Sequence, residues 1–247
     1  INQAAIISSR LAKNEIDIDD MEEAQISSSA GAKNLSIVMD RKVTAYHEVG
    51  HAIVSKLLNN NVRSVSIIPR DRSLGVTAMN FDDIQASSRT KNEMLNGICV
   101  SLAGQCAEQI FCGEISTGAS ADIKSASKTA RDMIVKYGFS ENEFLGMIDY
   151  SELSNLSEKT KEAIEMETLK IIKSEKVKCN KILHENKDAI DEMVELLLER
   201  EVIYDEDMSK ILANSKINYQ ENLNLDIIES IKNSDDNFKG SKIQIQM

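Results

Sequence analysis

Apolar residues along this chain recur at helical spacing far more often than they alternate. Tyr46, Val49, Gly50, Ile53 and Leu57 form one stripe. Asp40 can cap its start and Asn59-Asn60-Asn61 its end, which predicts a helix to about Leu58. Thr90-Lys91-Asn92-Glu93 is a capping box opening a helix expected to reach Phe111, with Gly113 just past its end. A further helix is expected from about Ala119 to Tyr137, closed by Gly138. A long amphipathic helix should run from Ser157 to Glu185, break at Asn186 and be followed by helices over Lys187–Arg200 and Asp205–Leu212. Strand-type patterning occurs at Val62–Ile68, which stops at Pro69, and again at Leu74–Met79. The polar turn Arg70–Ser73 between them predicts a small antiparallel hairpin over 62–68 and 74–80.

The two ends read differently. Ile1, Ala5, Ile6 and Leu11 sit at roughly helical spacing with no start signal, as if a helix were cut at its beginning. Asp19-Asp20-Met21-Glu22 resembles a capping box for a second short helix, and the small polar residues 27–36 read as a linker. Residues 214–247 are polar and are expected to form a mobile tail. The fold class is therefore mainly α with a small β-hairpin.

Composition narrows the function. With 40 acidic against 29 basic residues and a net charge of −11, nucleic acid is a poor partner. Cys99, Cys106, Cys112 and Cys179 show no C-x-x-C spacing, so they read as reduced thiols and a cysteine-ligated zinc is disfavoured. No run of 18 apolar residues suggests a membrane span, and no signal peptide is visible. The first residue is isoleucine, which leads us to expect part of a longer protein.

The chemistry concentrates in Tyr46-His47-Glu48-Val49-Gly50-His51-Ala52, which holds two of the chain's 3 histidines. Residues four apart on a helix share a face, so His47 and His51 can reach one metal ion with Glu48 beside them. This is the H-E-x-x-H pattern of zinc metalloproteases. Zinc lowers the pKa of a bound water to about 7 and polarises the peptide carbonyl, and the glutamate takes the water's proton. A chance match on a surface helix is the bland alternative, but the adjoining apolar stripe marks a buried helix. Gly50, which costs about 1 kcal/mol in a helix interior, implies close packing. Catalytic zinc needs a third protein ligand. His184 reads as a surface or packing residue, and carboxylates are too many for spacing to select one.

The motif, followed by Val65-Ser66-Ile67-Ile68-Pro69-Arg70, Leu74-Gly75, Ala103-Gly104 and Ala107-Glu108, resembles the peptidase domain of the FtsH family of ATP-dependent zinc proteases. Ser116-Thr117-Gly118-Ala119-Ser120-Ala121-Asp122-Ile123 and Tyr137-Gly138-Phe139-Ser140 extend the resemblance, which covers roughly residues 1–213. It implies that Asp122 is the third zinc ligand beside His47 and His51, that Glu48 is the general base, and that the domain is a zincin-like helical peptidase. Glu108 is a rival for the ligand role; the compromise is that it orients a ligand histidine from behind. The resemblance further implies domains at 1–26 (the end of an AAA+ helical lid), 27–36 (linker) and 37–213 (zinc peptidase), before the tail at 214–247. Homo-hexamers, polypeptide substrates and an ATPase supplied by the parent chain follow from it. So does a membrane-anchored parent with this domain on the cytoplasmic or organellar matrix side, the fragment itself being soluble. Val49, Gln109 and the lack of Gly-Pro after Ser140 depart from the family pattern without touching the expected ligands. The competing reading is a non-catalytic helical oligomerisation module with a structural metal; Glu48 argues against it, since a structural site needs no base. The hairpin edge could accept an extended polypeptide as a further strand.

Overall fold

The structure, a computed structural model, describes residues 1–36, 40–79, 88–152 and 155–214. The tail expected at 214–247 therefore lies outside the described residues beyond Asn214, as does residue 80 at the end of the expected hairpin.

The motif helix, α3 (Arg41–Leu57), begins where Asp40 accepts hydrogen bonds from the Lys42 and Val43 amides at 2.9 and 3.1 Å. It is buried on almost every side: Ala45, Val49, Ala52, Ile53 and Val54 are wholly inaccessible. Its main neighbour is α4 (Lys91–Ala107), opened by the reciprocal Thr90/Glu93 capping box. A Cβ at Gly50 would lie 2.7 Å from Ala107 Cβ and 2.8 Å from the Ala103 carbonyl oxygen, so glycine is what lets the two helices approach this closely. The α-helix expected to reach Phe111 instead changes at Glu108 into a π turn, Glu108–Cys112, closed by Gly113 in the left-handed region. Such turns recur at functional sites.

A 3-10 turn, Thr117–Ala119, leads into α5 (Ser120–Val135), which packs on α4. The long α6 (Glu158–Glu185) crosses both, and α7 (Lys187–Arg200) closes over α3. Ile53, Ile98, Met133, Ile182, Ile190 and Leu197 meet in the resulting core.

The hairpin is part of a three-stranded antiparallel sheet. β1 (Val62–Ser66) lies between β2 (Val76–Met79) and β3 (Val202–Tyr204), with Val65 opposite both Thr77 and Ile203. β3 follows Glu201, itself at φ 64°, and precedes α8 (Asp205–Asn214). Three residues are too few to alternate visibly, so this strand escapes the sequence pattern.

After α1 (Asn2–Arg10), the second helix starts earlier and ends later than the sequence suggests. α2 (Ile18–Ala30) is capped by Asp17, which exchanges hydrogen bonds with Asp20, and it ends at Gly31 with φ 87°. Residues 27–30, three serines and Ala30, expected as linker, are helical, and Ser28 Oγ donates to the Ala24 carbonyl one turn back at 2.8 Å. Arg70, 2% exposed, ties this helix to the turn between β1 and β2. Its guanidinium donates to both Glu23 oxygens at 2.8 and 2.9 Å, and to Ser27 Oγ and the Gly31 carbonyl.

Candidate metal centre

His47 and His51 project from one face of α3 with ring centroids 4.7 Å apart. Each has its Nδ1 engaged from behind. His51 Nδ1 faces the Val100 carbonyl at 2.8 Å, and His47 Nδ1 faces Glu108 Oε1 at 2.6 Å. A carbonyl or carboxylate can only accept, so both Nδ1 atoms carry hydrogen and both Nε2 atoms of the neutral rings present lone pairs. Those Nε2 atoms face each other at 3.1 Å, and Asp122 Oδ2 stands 3.4 and 3.5 Å from them.

Three electron-pair donors thus converge on one point, an arrangement that a shared cation or proton stabilises. At zinc–nitrogen lengths of about 2.0–2.1 Å, tetrahedral ligand atoms lie about 3.3 Å apart. The observed triangle, with sides of 3.1, 3.4 and 3.5 Å, has that size. Two imidazoles and a carboxylate are the donor types that zinc takes. Gly104 on α4 leaves the space: a Cβ there would sit 2.5 Å from His47 Cε1 and from His51 Nε2.

The local field favours positive charge. Burial lowers the His47 pKa, but Asp122, Glu48 and Glu108 outweigh it and hold it up at about 9. For Asp122 burial acts upward, and the two imidazoles override it, holding the carboxyl well below the usual range.

Glu108 also anchors the loop that carries Asp122. Its carboxylate accepts from the Ser116 amide and, at 3.1 Å, from the Ser116 hydroxyl, and Ser116 Oγ in turn accepts from the Gly118 amide. Asp122 follows in the first turn of α5, where free amides favour a carboxylate. Glu108 is therefore on the far side of His47 from the triangle and contributes no atom to it.

Glu48 lies beside the triangle, 7% exposed, and burial raises its pKa against the opposing pull of His51, His47 and Thr77. Thr77 on β2 places its hydroxyl 2.7 Å from Glu48 Oε2 and 3.0 Å from the Glu48 carbonyl oxygen. A Cβ at Gly75 would meet Glu48 Cγ at 2.6 Å. A cleft runs past these groups, lined by Val43, Leu74, Val76, Met79 and Ile115.

The structure brings together His47, Glu48, His51 and Asp122 and leaves His184 exposed on α6. All four cysteines are free thiols, and three of them are buried. The roles of Thr77, Ser116 and the Val100 carbonyl escape the sequence reading. The i, i+2 spacing of Gly75, just before β2, and Thr77 within it is the one local hint that both address the same neighbour.

A family model described as Peptidase family M41 matches residues 36–211. The chain is 36% identical over 235 residues to the ATP-dependent zinc metalloprotease FtsH 2 of Methylacidiphilum infernorum, covering 88% of this chain and 36% of that protein. It is 38% identical over 233 residues to ATP-dependent zinc metalloprotease FtsH of Pseudothermotoga lettingae, covering 86% and 36%. With FtsH 2 of a Thermoanaerobacter species the identity is 39% over 216 residues, covering 85% and 41%. The chain thus spans well under half the length of these curated relatives.

Proposed function

The chain belongs to peptidase family M41, and from that premise we propose that it is the zinc endopeptidase part of an ATP-dependent protease. In this reading His47, His51 and Asp122 hold the zinc and Glu48 is the general base. The observation that carries it is the pair of imidazole lone pairs facing each other beside the Asp122 carboxylate.

When bound, zinc supplies a water of lowered pKa and polarises the scissile carbonyl. The chain's own residues do the rest. Glu108 and the Val100 carbonyl fix the tautomer and tilt of the two imidazoles, so that both Nε2 atoms point into the site. Glu48, raised in pKa by burial, accepts the proton of the attacking water at its carboxylate and returns it to the leaving amine. Leu74, Val76, Met79 and Ile115 in the lining of the cleft are apolar enough to receive side chains of an extended polypeptide. β2 lies at one edge of the sheet, and backbone pairing there is tolerant of sequence, as a degradative enzyme requires.

The substrates in this reading are loosely structured polypeptides, and the parent chain supplies an ATPase, for which residues 1–26 are the end of the helical lid. Assembly is a homo-hexamer and the parent is membrane-anchored, with this domain on the cytoplasmic or matrix side. Among the described residues no helix is long and apolar enough to cross a membrane.

The test is direct. The purified chain should hold about one zinc, cleave casein-type unfolded substrate slowly, and stop after chelation. It should leave a stably folded tagged domain intact. Full cleavage of unfolded substrate after exhaustive metal removal would sink the reading.

A further inference from the structure

The geometry points to Thr77 as a positioning residue that holds the Glu48 carboxylate in its working orientation. This rests on the peptidase reading above and goes beyond it, because Thr77 touches neither the triangle nor the bond to be cut.

Three observations converge on one side chain. The Thr77 hydroxyl lies 2.7 Å from Glu48 Oε2, and 3.0 Å from the Glu48 main-chain carbonyl. The single hydroxyl hydrogen can thus serve either the tip or the root of the same residue, with the carboxylate oxygen the nearer acceptor. Gly75, immediately before β2, brings its Cα so near that a methyl group would sit 2.6–2.9 Å from Glu48 Cγ, Oε1 and Cδ. The strand itself is fixed, since Thr77 pairs with Val65 in β1 and the preceding turn is clamped by Arg70 to Glu23.

A glutamate has three rotatable side-chain bonds, and a base must lie within about 2.6–3.2 Å of the proton it takes. Glu48 has one oxygen tethered to Thr77, and Gly75 leaves room for its side chain where a methyl group would not; among the described residues Oε1 is the oxygen not held by Thr77. A hydroxyl suits this task better than a cationic donor. It can donate to the carboxylate, or turn its hydrogen to the main-chain carbonyl and accept from the carboxylic acid. The tether therefore survives as Glu48 gains and loses a proton in each turnover.

The experiment compares the wild-type chain with T77V, T77S and G75A, each loaded with zinc. T77V keeps the branched shape and strand preference but removes the hydroxyl; T77S keeps the hydroxyl and removes the methyl. Zinc content should stay at about one per chain in all of them. T77V should lower kcat on unfolded polypeptide by about 10–100-fold with KM within about twofold of wild type. T77S should recover to within about threefold of wild type. G75A should lower kcat without losing zinc, because its methyl would displace the Glu48 side chain from where Thr77 holds it.

A second readout does not depend on turnover. With 13C at the glutamate side-chain carboxyls, the Glu48 line, assigned by its loss in E48Q, should be single in wild type and T77S. It should be broadened or doubled in T77V. An unchanged Glu48 line together with kcat within twofold in T77V would overturn the proposal. So would equal losses in T77V and T77S, which would put the effect on packing and not on the hydroxyl. If the zinc-loaded wild type cleaves no polypeptide, the peptidase reading falls, and the carboxyl line alone decides the role of Thr77.

Discussion

Two carboxylates, Glu108 and Asp122, stand on opposite edges of the same imidazole. Glu108 Oε1 faces His47 Nδ1 at 2.6 Å, while Asp122 Oδ2 faces both Nε2 atoms at 3.4 and 3.5 Å. If Asp122 is the ligand, D122N should strip zinc and activity together. E108Q should weaken zinc binding by about 10–100-fold without emptying the site, since it alters the group behind the ring and its hold on Ser116 but removes no atom of the triangle. Zinc titration of the two purified variants checks this, and the reverse ranking would move the third ligand to Glu108. Residue chemistry was legible where it was local: His47, Glu48 and His51 lie within one turn and a half and announce themselves. Asp122 could not be picked from spacing, because many carboxylates were equally eligible and only the fold decides which one approaches. Thr77 was invisible for the same reason, since its partner sits on another element.

At the scale of elements, the site depends on how closely α4 lies on α3. Ordinarily Gly50→Ala would gain about 1 kcal/mol from helix propensity. Here the new methyl would meet Ala107 Cβ at 2.7 Å and main-chain atoms of Ala103. Backbone cannot swing aside as a side-chain tip can, so G50A should destabilise the chain by about 1–3 kcal/mol, read from the urea midpoint, and loosen zinc as well. Helix starts and stops were mostly readable, because Asp40, Thr90 and Gly113 have local jobs. The π turn was not, since nothing in the composition of Glu108–Cys112 distinguishes it from an α turn. The end of α2 misled for a related reason: serines favour linkers, yet here Ser28 turns its hydroxyl to the carbonyl one turn back and the helix continues.

For the molecule as a whole, the Glu23–Arg70 pair joins α2 to the turn between β1 and β2. Burial pushes the Glu23 carboxyl up, but Arg70, Ser27 and Lys33 outweigh it and hold the pKa at about 2 against an ordinary 4.5. A carboxyl with a lowered folded-state pKa stabilises above its unfolded value, and that stability is lost as pH falls. Discounted for solvent screening of the partly exposed Glu23, the contribution is about 1–2 kcal/mol, and it should be whole above pH 4.5 and fade towards pH 2. Measured by urea unfolding, the gap between wild type and E23Q should shrink from pH 7 to pH 3; a gap independent of pH would show that the ion pair is not its source. The pair also has a kinetic side. Glu23 and Arg70 are 47 residues apart, and α3 and β1 lie inside the loop they close. So long a loop is costly to close early, so the contact should form after the transition state for folding. Removing it with R70M should then leave the refolding rate nearly unchanged and appear almost wholly as faster unfolding in stopped-flow denaturant jumps. Arg70 would set how long the native state lasts once made, and have little say in how quickly it is reached.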